Sequence, residues 1–279
     1  MIARVARRPK LAFGVAVVAL VVLLGVLADV VAPQDPLRQN LAAKLMPPGS
    51  YERGWGWHLV GTDHLGRDVL SRLVYGARVS LFVSVVAVLI SGSIGTAVGL
   101  LSGYRGGRVD DLLMRLTEVQ LACPFILLAL AVAAVLRPNL RNTVIVLAVS
   151  GWVIYAKVIR SRVLSLRESE FLAAARALGA SGGRLVLRHI LPNMLSTCIV
   201  LATVEAARMI ILESALSFLG LGVQPPNASW GGMLRDGKLY ISSAWWYTTF
   251  PGLAIMVTVL GLNMVGDSLR DLLDPRLKV

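Results

Sequence analysis

The chain is 279 residues long, 56% hydrophobic and only 16% charged, with a formal net charge of +12 and a mean hydropathy of +0.71. That is too apolar for an ordinary soluble domain. The Lys and Arg residues cluster at the ends of apolar runs without interleaved aromatics, which argues against nucleic-acid binding and for a membrane protein oriented by its basic residues.

Six apolar runs meet or approach the roughly 20 residues that a helix needs to cross a hydrocarbon core about 30 Å thick. They cover about 11–31, 81–101, 116–136, 143–159, 194–218 and 249–265. They lack the period-two polarity of a transmembrane barrel. The predicted fold class is therefore all-α, a polytopic membrane protein with six transmembrane helices. The expected organisation is a cytoplasmic N-terminus at 1–10, a first span at 11–31, an external loop at 32–79, five further spans within 80–267 and a cytoplasmic tail at 268–279. The basic residues favour a cytoplasmic placement of both termini. The first run is read as an uncleaved helix, because no A-x-A site follows its apolar centre closely.

After the first run, Pro33, Pro36, Pro47, Pro48 and Gly49 predict irregular structure. Leu65, Val69, Leu73 and Val74 then recur at helical spacing among Arg67, Asp68, Arg72 and Arg78. That pattern predicts an amphipathic helix at the membrane interface ahead of the second span. Within that span Ser91, Gly95, Gly99 and Gly103 recur every four residues, giving a flat face for close helix packing. The sequence does not say whether the neighbour belongs to this chain.

The segment from Tyr104 to Asp111 is expected to turn the chain on the cytoplasmic side, and 137–142 to form a short external turn. Between Gly220 and Tyr247, Trp230, Trp245 and Trp246 are expected at headgroup level. Pro251 and Gly252 are expected to open the last span. Cys123 and Cys198 are read as core packing, and His58, His64 and His189 as isolated, with the loop residues His58 and His64 read as solvated rather than as metal ligands. No metal cluster is expected.

The most informative segment is 168–193, which places a charged, glycine-interrupted stretch between apolar runs. Ala173 to Leu178 are good helix formers. Gly179, Gly182 and Gly183 interrupt them, Leu185 to Ile190 start a second short helix, and Pro192 marks entry to the next span. Ala175, Gly179 and Gly183 are read as one smooth row, and Ala173 with Ala177 as another. Connections between adjacent helices are usually shorter than this, so the segment is read as a docking element, with Arg167, Glu168, Glu170, Arg176, Arg184 and Arg188 orienting a partner.

The Ala173-Ala174-Ala175-x-x-x-Gly179 pattern followed by Leu191-Pro192 resembles the EAA loop of importer-type ABC transporter permeases. Two positions depart from the family pattern, Ala173 in place of Glu and His189 in place of an aliphatic residue. The segments GTD at 61–63, GRD at 66–68, GAR at 76–78, ESALSFLGLG at 213–222, PPNASWGGML at 225–234 and GDSLRDLLDPRLK at 266–278 are similar to the C-type permeases of dipeptide, oligopeptide and nickel importers.

The resemblance implies the type I ABC importer permease fold over 80–267, with a coupling loop at 161–192, in the bacterial cytoplasmic membrane. It implies a heterodimer with a second homologous permease, two ABC ATPase subunits and an extracytoplasmic substrate-binding protein. ATP and Mg would then sit on the partner subunits, with no cofactor bound by this chain and no catalytic role for it. Coupling would fall to Phe171, Ala173, Ala174, Ala175, Leu178, Gly179, Leu191 and Pro192. Short peptides are the expected cargo, with nickel or glutathione as the alternative.

Glu205 and Arg208 lie three residues apart inside the fifth apolar run, where charges are costly and often face a water-filled path. They are candidates for the translocation path or for a structural pair, and Glu213 shares that ambiguity. Residues 232–239 read GMLRDGKL, one residue short of a phosphate-binding loop, with Leu239 where a Ser or Thr belongs. A self-sufficient secondary transporter would predict inverted repeats or broken helices near the midplane, and neither is evident. A membrane-anchored enzyme would need a catalytic constellation, and none is evident.

Overall fold

A computed structural model describes residues 9–273. Residues 1–8 and 274–279, which carry most of the expected N-terminal segment and part of the expected tail, lie outside the described residues.

The chain is a helical bundle. Helix α1 (Pro9–Val26) leads through a kink at Leu27 into a single turn, α2 (Ala28–Val31). An irregular loop with a small hairpin, β1 (Ser50–Glu52) and β2 (Gly56–His58), leads to α3 (Val69–Arg105). Then come α4 (Gly107–Ala122), α5 (Phe125–Val135), α6 (Leu140–Arg167), the short α7 (Glu170–Ala177), α8 (Gly182–Phe218), α9 (Trp230–Gly237) and α10 (Trp246–Leu273). Five of these, α1, α3, α6, α8 and α10, are long and apolar enough to cross a membrane.

The third expected span, at 116–136, is not one helix. Helices α4 and α5 meet at an 86° bend. Proline explains the break: the residue before it is pushed out of the helical region, and Cys123 takes φ −90°, ψ 113° ahead of Pro124. A broken helix is therefore present where none was expected. Cys123 is exposed at the break rather than packed in a core, and Cys198 is half-buried.

The expected interfacial helix is also absent as a separate element. Asp68 caps a helix that runs unbroken for 37 residues, its side chain accepting from Ser71 N. At 1.5 Å per residue α3 is about 55 Å long, well beyond the hydrocarbon core.

Small residues hold the bundle together. Ser91, Gly95, Gly99 and Gly103 are all buried and lie against α6. A Cβ on Gly95, Gly99 or Gly103 would come within 2.2 Å of Trp152 O, 2.6 Å of Ala156 O or 2.9 Å of Val163 Cβ. The partner of that face is thus in this chain. Gly14 of α1 and Gly261 of α10 approach each other in the same way. Glu213 is fully buried, accepting from Ser80 Oγ at 3.0 Å and Ser217 Oγ at 2.7 Å, so it ties α8 to α3 inside the bundle.

One end of the bundle is capped by the long loops. Trp230 and Trp246 are buried there, donating from Nε1 to Leu73 O and Thr62 O at 3.0 and 3.1 Å. Trp245 is exposed. His58 is fully buried, with Nδ1 at 3.0 Å from Asp68 and Nε2 at 3.5 Å from Glu52, so it is not a solvated loop histidine. His64 lies between the rings of Tyr240 and Tyr247, and burial lowers its pKa from the usual histidine range. Helix α10 starts at Trp246, so Pro251 lies inside it rather than opening it.

Candidate functional site

The opposite end of the bundle carries the α6–α8 connection. The chain turns sharply between α3 and α4 at Gly106 and Gly107, whose φ values are +67° and +55°. Asp110 then pairs with Arg160 through two 2.5 Å contacts, and Ser102 also donates to Asp110. Arg167 donates to Tyr104 O at 3.3 Å. These bonds fix the ends of α3, α4 and α6 against one another.

Helix α7 is anchored through one residue. Leu172 is fully buried and packs with Ile159 and Val163 of α6 and with Leu185, Ile190 and Met194 of α8. The helix ends in a Schellman motif: Ala180 N donates to Ala175 O at 3.1 Å and Gly179 N donates to Arg176 O at 2.9 Å. This ending needs a left-handed residue, and Gly179 supplies φ +85°.

The glycine row does not survive intact. Gly179 lies past the end of α7 and Gly183 belongs to α8, while Ala175 turns partly into the cluster around Leu172. What α7 leaves outside is Ala173, Ala174 and Ala177 together with two large apolar side chains. Phe171 is 45% exposed and Leu178 is 89% exposed. Arg176 and Arg184 are exposed beside them. A large apolar side chain left almost bare between exposed charges marks a contact surface.

The expected second short helix is continuous with the span. Its residues Leu185–Ile190 form a π-helical stretch, with Leu191 N donating to Val186 O. Pro192 has no N–H and its ring crowds the carbonyl four residues back, and the wider π turn relieves that conflict. Leu191 is half-buried and Pro192 is exposed.

Glu205 and Arg208 are brought together, as a pair with its shortest contact at 2.8 Å. Glu205 is buried and the Arg208 side chain is 35% exposed. They lie in α8, away from the α6–α8 connection. The GMLRDGKL stretch at 232–239 falls in α9 and the 3₁₀ turn after it, with no strand leading into it.

One cluster escaped sequence reasoning. Asp63, Arg67 and Arg72 are all buried at the loop-capped end. Asp63 accepts from Arg67 Nε at 2.6 Å and lies 3.5 Å from Arg72. The signal was present in the charge-rich run from 63 to 72, which amphipathic spacing alone assigned to a helix at the membrane interface.

A family model described as binding-protein-dependent transport system inner membrane component matches residues 95–279. The chain is 42% identical over 273 residues to the dipeptide transport system permease protein DppC of Alkalihalophilus pseudofirmus, covering 98% of this chain and 88% of the relative. It is 44% identical over 259 residues to the di/tripeptide transport system permease protein DppC of Pseudomonas aeruginosa, covering 93% and 86%. It is 38% identical over 274 residues to the dipeptide transport system permease protein DppC of Bacillus subtilis, covering 98% and 84%.

Proposed function

The chain belongs to the family of binding-protein-dependent transport system inner membrane components, and from that premise we propose that it is the permease subunit of an ATP-driven importer of short peptides. The peptide cargo follows the names of relatives about 40% identical over nearly the whole chain. The chain forms half of the translocation path, and a second, homologous permease forms the other half. Two ABC ATPases bind the α7 end and carry ATP and Mg, so this chain binds no cofactor and catalyses no reaction itself. An extracytoplasmic binding protein delivers cargo to the other end. The concentration of Arg105, Arg108, Arg160, Arg162, Arg167, Arg176, Arg184 and Arg188 at the α7 end supports a cytoplasmic placement there. The protein is accordingly a multi-pass protein of the bacterial cytoplasmic membrane with both termini inside.

The observation that carries this reading is the seating of α7. Its outer side offers Phe171 and Leu178, while its one buried residue, Leu172, touches both α6 and α8. A partner that grips Phe171, Ala173, Ala174, Leu178 and Gly179 therefore pushes two spanning helices through a single rigid contact. Ala175, Leu191 and Pro192 complete the coupling residues of this segment. Interiors packed at crystal-like density transmit such displacement instead of absorbing it. For Glu205 and Arg208 two readings stand, lining of the translocation path and a structural pair inside the bundle.

The test combines gentle purification with transport. The chain isolated from native membranes is expected to bring two ATPases and a second permease, and membranes holding the set are expected to take up a labelled dipeptide only with ATP. Recovery of the chain alone, active in lipid without ATP, would overturn the reading.

A further inference from the structure

At the end of the bundle opposite α7, a cavity of about 460 Å³ lies between the first long loop and the segment after α8. Arg67, Arg72, His64, Arg235, Asp236 and Ser229 contribute to its wall. The Arg67 and Arg72 side chains are only 9% and 5% exposed. Arg67 Nε is matched by Asp63 at 2.6 Å. Arg72 has, among the described residues, only two long ion pairs and no hydrogen bond to either carboxylate. Its approaches to carboxylate are to Asp63 at 3.5 Å and Asp236 at 4.0 Å, and its Nε and Nη1 have no hydrogen-bond partner among the described residues.

The nearby acids are already committed. Asp63 accepts from Leu65 N, Arg67 N and Arg67 Nε, and Asp236 is held by Arg235 at 3.1 Å. Three guanidinium groups therefore face two carboxylates, leaving a surplus of positive charge at the cavity wall. A buried guanidinium with idle donors is costly unless an anion meets it. Ser229 and Gly232 bring the first turn of α9 to the same cavity, and the positive end of a helix favours an anion. The planar fork of arginine matches a carboxylate through two parallel bonds. The cavity volume falls within the range of small-ligand sites.

We propose that this cavity binds the carboxylate of a small organic acid through Arg72, with Arg67 beside it. The identity of that acid rests on the peptide-import reading, under which it is the C-terminal carboxylate of a short peptide.

The probes are Ala-Ala and its C-terminal amide, applied to the assembled importer in lipid nanodiscs and followed by saturation-transfer NMR. Ala-Ala is expected to give a saturable signal that excess acetate displaces, with at least a tenfold weaker signal from the amide. Arg72→Gln is expected to abolish the difference, while Arg72→Lys, which keeps the charge, retains part of it. Thermal unfolding of each variant checks that the complex remains folded. Equal signals from acid and amide, or undiminished acid binding by a folded Arg72→Gln complex, would overturn the site. Uptake separates the two readings: acid-selective binding lost in Arg72→Gln, in a complex that imports no peptide, leaves the carboxylate site standing and removes the peptide-import reading. Uptake with no acid preference does the reverse.

Discussion

Gly95 of α3 lies so close to Trp152 of α6 that a Cβ on it would stand 2.2 Å from the Trp152 carbonyl oxygen. No side-chain rotation relieves a clash with backbone, so the two helices must separate. Gly95→Ala is expected to destabilise the chain by about 1–3 kcal/mol, the usual range for overpacking. Gly183→Ala is the control, because a Cβ there meets nothing within 4 Å. Thermal unfolding in detergent should show a clear loss for the first and little change for the second.

The coupling reading separates surface from core on a single short helix. Leu178→Ser removes a side chain that is almost fully exposed, so stability should stay within about 0.5 kcal/mol. ATP-dependent uptake should nevertheless fall at least tenfold if that side chain grips the ATPase. Leu172→Ala removes a fully buried side chain and should cost about 2–5 kcal/mol. Paired uptake and unfolding measurements distinguish the two, and normal uptake by Leu178→Ser would sink the assignment.

Gly179 poses a different question, because its left-handed φ of +85° has open space around the missing Cβ. Gly179→Ala is expected to cost about 1–2 kcal/mol from backbone strain alone. Asn and Asp tolerate this conformation better, so Gly179→Asn should fold nearly normally. Gly179→Asp then tests close approach and charge rather than folding. Loss of uptake with Asp but not with Asn supports docking at this turn, whereas normal uptake with both counts against it.

The parts of this fold that were legible in sequence are those where one residue type has one physical use. The four-residue spacing of Ser91, Gly95, Gly99 and Gly103 announced close packing, although not its partner. Gly179 after an alanine-rich helix announced a helix end. Long-range contacts stayed hidden. The burial of Trp230 and Trp246 was not readable because the residues they bond, Leu73 of α3 and Thr62 of the first long loop, lie more than 150 positions away. Arg67 and Arg72 looked amphipathic because their partner Asp63 sits before the helix and Asp236 lies in a different part of the chain. The break at Pro124 was readable, since proline inside an apolar run ends a helix, but the hydropathy of the run concealed it.

The Glu205–Arg208 pair can be assigned to a role by asking what repairs it. Arg208→Leu leaves Glu205 buried without its partner, and such a change typically costs about 3–5 kcal/mol. The cost here should lie toward the lower end, because the Arg208 side chain is 35% exposed and so partly screened. Adding Glu205→Gln removes the stranded charge and should recover most of that stability, as replacing a whole buried pair is often neutral. A structural pair predicts that the double variant recovers uptake together with stability. A pair lining the path predicts that stability returns while uptake does not, because water and cargo would then meet an apolar side chain where the path holds the charge of Arg208. Unfolding and uptake measured on the parent, the single variant and the double variant decide between them.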